Sequence, residues 1–189
     1  MNKVHRYASV LKVIGMVLAL IGLFPAVPGA VQADIAPAPA GILTTGLHYN
    51  CGLKSSGAVE CWGWNFYGQV LNQPGPYTQV AASQFHTCAL TVQGAADCWG
   101  VNNPDYDTGQ GVDQPGPYTY VGGGVWHTCG LTPLGAADCW GANRAANDFG
   151  QAADRPGPYV QLSVGLDHNC ALKSNGAIGA SRRGLPARM

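Results

Sequence analysis

Three histidines, His86, His127 and His168, each stand two residues before a cysteine that recurs at a nearly fixed interval. Imidazole titrates near neutrality, so a recurring histidine is the first place to look for metal ligation or proton transfer. The first copy of the pattern carries Tyr49 at this position, with His48 one place earlier. Equivalent positions in separate repeats point the same way but lie in different sheets, and no convergent carboxylate or nucleophile accompanies them. A structural hydrogen bond in each repeat is therefore expected, with no catalytic residue and no metal ligand assigned. The run Asn103-Pro104-Asp105-Tyr106-Asp107-Thr108-Gly109 spaces oxygen atoms as a calcium loop does. Its glycine falls one place late, and Gln114 stands where a bidentate glutamate would be needed, so a polar turn is expected. No cofactor is assigned.

The cysteines carry the stronger signal. Cys51, Cys88, Cys129 and Cys170 are 37, 41 and 41 residues apart, and ten residues after each of the first three come Cys61, Cys98 and Cys139. A hairpin centred on residue 93 places Cys88 opposite Cys98, with Gly94 in the left-handed position of a three-residue loop. Gly57, Gly135 and Gly176 hold the same place in the other copies. The pairing expected is Cys51–Cys61, Cys88–Cys98 and Cys129–Cys139, each closing a short loop and stabilising the fold by about 2–3 kcal/mol. Free buried thiols or zinc ligands are the alternative, but a zinc site needs four converging ligands. Cys170 is left as a free thiol.

Disulfides need an oxidising compartment, and the start of the chain points to one. Lys3, Arg6 and Lys12 precede an apolar run over residues 13–24, and Val31-Gln32-Ala33 offers small residues for cleavage. Residues 1–33 read as a secretory signal peptide, too short in its apolar part to span a bilayer. The protein is expected to be secreted, or held in the periplasm or at the cell surface, with no membrane anchor after cleavage. Residues 34–39 read as a linker. From Asp34 onward there are 7 basic and 10 acidic residues, a formal charge of −3. Nucleic-acid binding requires a basic face that displaces counterions, and none is visible.

The elements that must position these residues repeat as a unit. After each second cysteine come Trp-Gly, then Gly-Gln (Gly68-Gln69, Gly109-Gln110, Gly150-Gln151), then Pro-Gly-Pro-Tyr ending at Tyr77, Tyr118 and Tyr159. The stretch from Trp to Gln spans 7 residues in the first copy and 11 in the next two, which marks a rigid frame with one tolerant loop. The repeats divide as 40–76, 77–117, 118–158 and a partial copy at 159–178, with an irregular tail at 179–189. Each reads as three short strands, small or apolar on both faces, as expected of a sheet packed between two like it. Such sheets stacked radially make an all-β propeller, here with about 3.5 three-stranded blades and therefore open or partial.

The string HTCAL…GAADCWG…N…GQ resembles the repeat of the regulator-of-chromosome-condensation family over about residues 40–178. The short, cysteine-paired unit is more similar to secreted bacterial relatives than to the longer eukaryotic blades. The resemblance implies a β-propeller, usually seven-bladed. It also raises nucleotide exchange on a small GTPase, against which the expected export and acidity argue. The pattern lapses after Ile178: the second cysteine is due at Ala180 and the tryptophan at Ser181. That implies a truncated or frameshifted member, and an open stack would leave two apolar ends free to self-associate.

The Trp-to-Gln loops differ most between copies. They hold Trp64, Phe66 and Tyr67, then Asp105, Tyr106 and Asp107, then Arg144, Asn147, Asp148 and Phe149. Aromatics mixed with charges on variable loops suit a face that binds another protein without catalysis. A hydrolase working at the propeller axis, and a non-functional fragment of a larger repeat protein, are the alternatives. Drift of unselected surface explains the loops equally well.

Overall fold

Chain entropy favours the shortest hairpins, and each repeat builds one around its cysteine pair. A computed structural model describes residues 43–144 and 146–181. The segments read as signal peptide and linker lie outside the described residues. The first blade is β1 (Leu43–Thr45), β2 (Tyr49–Leu53) and β3 (Val59–Gly63). The second is β4 (Tyr77–Ala82), β5 (His86–Thr91) and β6 (Ala96–Gly100). The third is β7 (Tyr120–Gly123), β8 (His127–Leu131) and β9 (Ala137–Gly141), and the fourth is β10 (Gln161–Val164), β11 (Asn169–Leu172) and β12 (Ile178–Ser181). Every blade is an antiparallel three-stranded sheet in chain order. Strand β12 takes three residues from the segment that the sequence assigns to an irregular tail. Its backbone keeps the hairpin pairing although the cysteine and tryptophan are missing, with Cys170 opposite Ala180. The rest of that tail lies outside the described residues.

The register is the one the cysteine spacing requires. Cys51 faces Cys61, Cys88 faces Cys98, and Cys129 faces Cys139. All three pairs are disulfide-bonded, with Cα atoms 4.0–4.1 Å apart. The turn of the second hairpin is closed by Thr91 N–H to the Ala95 carbonyl and Gly94 N–H to the Thr91 carbonyl, 2.9 Å each. Gly94 sits at φ 85°, which a side chain would oppose.

Each disulfide-bearing face packs on the opposite face of the next blade. Cys51, Leu53 and Val59 meet Val80 and Ala89; Cys88, Leu90 and Ala96 meet Val121; Cys129 and Ala137 meet Leu162 and Ala171. The segment returning to the next blade bridges the outer edge of each of the first three sheets, Val59 with Gln73, Ala96 with Gln114, and Ala137 with Arg155. That covers an edge which would otherwise offer unpaired backbone groups.

Candidate functional site

The connections β1–β2, β4–β5, β7–β8 and β10–β11 meet at one end of the blades around a groove of about 320 Å³. Glycines, Thr45, Ser83 and Gln84 line it, and Leu47 and Leu166 stand at its mouth, 53% and 69% exposed. The variable loops after β3, β6 and β9 open at the same end. They hold Trp64, Phe66 and Tyr67, then Asp105, Tyr106 and Asp107, then Arg144, Asn147, Asp148 and Phe149.

One aromatic ribbon links the first two of these loops with the β4–β5 and β7–β8 connections, and so crosses three blades. Trp64 stacks on Phe66 at 5.6 Å, and Tyr67 meets both edge-on. Tyr67 continues to Phe85 at 4.7 Å and Tyr106 at 5.0 Å, and Phe85 to Trp126 at 5.1 Å. Tyr67 and Phe85 are buried with Val101 and Val125, and so form a floor. Trp64 and Phe66 stand above it, 42% and 67% exposed. Backbone bonds lace each loop to the next: Asn102 N–H to the Tyr67 carbonyl at 3.0 Å, and Asn143 N–H to the Thr108 carbonyl at 3.1 Å. The Arg144 guanidinium donates to the carbonyls of Asp105 and Pro104. Asn103 and Asp107 turn their side-chain oxygens onto the backbone N–H groups of Asp105 and Gly109, both at 2.9 Å. These are the local turns that asparagine and aspartate favour, in the segment that spaced its oxygens like a calcium loop.

Sequence reasoning used Gln69, Gln110 and Gln151 as markers of the repeat and missed their role. All three are fully buried. The Gln110 amide accepts from the Thr108 N–H and donates to the Tyr106 carbonyl, 2.6 and 2.7 Å. Gln69 and Gln151 clamp their own loops in the same way. The signal available was their recurrence in register behind a glycine; a buried amide must satisfy both its donor and its acceptor.

The recurring histidines reach further than one repeat, because they join blades. His86 Nε2 lies 2.7 Å from Thr128 Oγ1, and Thr128 donates to the Gln110 carbonyl at 2.8 Å. Ser83 Oγ lies 2.8 Å from His86 Nδ1. His127 Nε2 meets Asn169 Oδ1 at 2.6 Å, and the Asn169 amide donates to the Gln151 carbonyl. That orientation makes His127 Nε2 the protonated nitrogen. In the first blade the Tyr49 hydroxyl takes the same part, 2.8 Å from Thr87 Oγ1 and donating to the His86 carbonyl. Burial, with a smaller contribution from His127, holds His86 down to about 3, so the ring is neutral. Burial also lowers His127, with the Asn169 contact opposing. Burial raises the Tyr49 phenol to about 12. His168, in the last blade, is exposed, with Asp167 Oδ1 3.6 Å from its Nδ1.

Comparison with known proteins agrees with this architecture. The family model of the regulator of chromosome condensation (RCC1) repeat matches residues 77–105, which run from β4 into the second variable loop. No curated protein matches the chain. Among solved structures, the CRINKLY WD40 ectodomain of the Arabidopsis thaliana receptor kinase ACR4 superposes with a TM-score of 0.64 at 23% identity. That match covers 77% of this chain and 51% of the other. The ectodomain of the Physcomitrella patens receptor kinase CR4 gives 0.58 at 25% identity, over 74% of this chain and 40% of that one. Prp20p from Saccharomyces cerevisiae, described with its binding to Gsp1p and histones, gives 0.56 at 18% identity, over 73% and 43%. The chain thus spans about half of these structures or less, and the likeness is one of fold.

Proposed function

Because the chain is built from RCC1-type repeats stacked as blades of an unclosed β-propeller, we propose that it is an exported module that binds another protein through its variable loops. The observation that carries this is the exposed Trp64–Phe66 stack on a buried aromatic floor. Exposed aromatics on a rigid support lose little side-chain entropy when covered, and such residues dominate binding energies. Asp105, Asp107 and Arg144, with Asn147 and Asp148 beyond them, supply a polar and charged rim, and Phe149 adds a further exposed aromatic. The three disulfides fit an oxidising compartment, and the segment read as a signal peptide supports export.

A hydrolase at the axis finds less support. Among the described residues the groove is lined by glycines, aliphatics, Thr45, Ser83 and Gln84, without a carboxylate. Ser83 touches His86, but Ser83 is buried and an imidazole held down to about 3 is a weak base for activating a hydroxyl. His86 is committed instead to Thr128 of the next blade.

The test is capture from the extracellular fraction of the source organism on immobilised wild type and on Trp64→Ser/Phe66→Ser. A partner retained by wild type should fall at least about tenfold on the double variant, a loss of about 1.4 kcal/mol or more. Equal retention by both proteins, or no retained protein, would contradict the reading.

A further inference from the structure

Each junction between blades is written in the same residues, and the two open ends carry the two halves of one more. On the disulfide-bearing face, Cys51, Cys88 and Cys129 are fully buried, and so are Val59, Ala96 and Ala137 beside them. In the fourth blade the residues at those positions are Cys170, which is exposed, and Ile178, which is 58% exposed. On the opposite face, Val80, Val121 and Leu162 are buried at 3%, 0% and 4%, whereas their counterpart Leu43 in the first blade is 71% exposed. Trp99 and Trp140 are partly covered, but Trp62 is 51% exposed.

The polar couplings are split in the same way. Across the third junction His127 bonds Asn169. The fourth blade ends in the same imidazole, His168, and the first blade begins with the same amide, Asn50. Across the second junction the Gln79 side chain bonds both backbone groups of Val121, at 2.8 and 3.0 Å. Gln161 repeats Gln79 in the fourth blade, and Leu43 stands in the first at the place of Val121. The carbonyl of a buried glutamine, as Gln69, Gln110 and Gln151 supply, has no counterpart within the described part of the fourth blade.

We propose that the exposed face of the fourth blade docks head-to-tail on the exposed face of the first blade of a second copy of this chain. His168 and Gln161 of one copy meet Asn50 and the Leu43 backbone of the other, and Ile178 and Cys170 cover Leu43. The interface is heterologous, so the assembly is either a closed ring or a chain that grows. Docking surfaces and variable loops are distinct, so this does not depend on the binding role proposed above.

The test is sedimentation of the purified protein over a range of concentrations, with the rate of thiol labelling at Cys170. Wild type should sediment as a dimer or larger, with Cys170 labelled at least about tenfold more slowly than in variants that dissociate. Leu43→Asp and Ile178→Asp, at positions already exposed in the single chain, should each be monomeric. Mixed together they should form a dimer, because one copy keeps an intact first face and the other an intact fourth face. A wild type that is monomeric at every concentration would overturn the proposal. So would a dimer bridged Cys170 to Cys170, which joins like faces, or association that survives either substitution. Failure of the mixed pair to associate, with both variants folded by circular dichroism, would also overturn it.

Discussion

At the scale of single residues, the buried neutral imidazoles make the fold sensitive to acid. Above the unfolded value of 6.5 both states leave His86 uncharged, and its environment has no pH dependence. Below 6.5 the unfolded chain takes up a proton that the folded ring refuses until about 3. Stability should therefore fall with pH across that window, by up to about 1.4 kcal/mol per unit for this residue, and His127 acts in the same direction. Urea midpoints at pH 7.5, 6 and 4.5 check this; a constant midpoint would contradict the neutral relay. Thr128→Val removes the hydroxyl between His86 and the Gln110 carbonyl and leaves buried groups unpaired. It should cost about 1–3 kcal/mol in the same titration. His86 and His127 were legible in the sequence as structural hydrogen-bonders, whereas His168 is exposed. Their reach was not: the partner of His86 lies 42 residues on, in another sheet, and one repeat does not reveal how the next is docked.

At the scale of the hairpin, sequence and structure agree closely because the constraint is local. A ten-residue cysteine spacing and a glycine near its midpoint leave one register that brings the sulfurs together, and the paired strands have it. Replacing Cys88 and Cys98 together by alanine should lower stability by about 2–3 kcal/mol. The fourth hairpin offers the converse experiment. Cys170 and Ala180 face each other as the bonded pairs do. Ala180→Cys should therefore form a fourth disulfide, consume the free thiol and raise the unfolding midpoint in urea; a variant with two reactive thiols would contradict that register. The variable loops were less legible. Their membership was evident from the length change between Trp and Gln. The meeting of the first two at Tyr67 and Phe85 depends on stacking between blades, which local pattern does not encode.

At the scale of the molecule, one frame explains both the rigid middle and the reactive ends. The inner blades satisfy each other in apolar contact and in polar relay, and the loops at one end rest on the buried floor of Tyr67, Phe85, Val101 and Val125. The same grammar left unfilled at the outer faces exposes Leu43, Trp62 and Ile178. An all-β stack of three-stranded sheets was readable from the period alone, since no sheet with two apolar faces is stable by itself. Where its outer faces find cover was not, because that depends on surfaces beyond a single repeat. The account rests on the disulfide frame, and non-reducing peptide mapping of the natively purified protein tests it most directly. It should find Cys51–Cys61, Cys88–Cys98 and Cys129–Cys139 as linked peptides and Cys170 alone alkylated. Seven alkylated cysteines would contradict the frame and the oxidising compartment together, and bridges between different hairpins would contradict the frame.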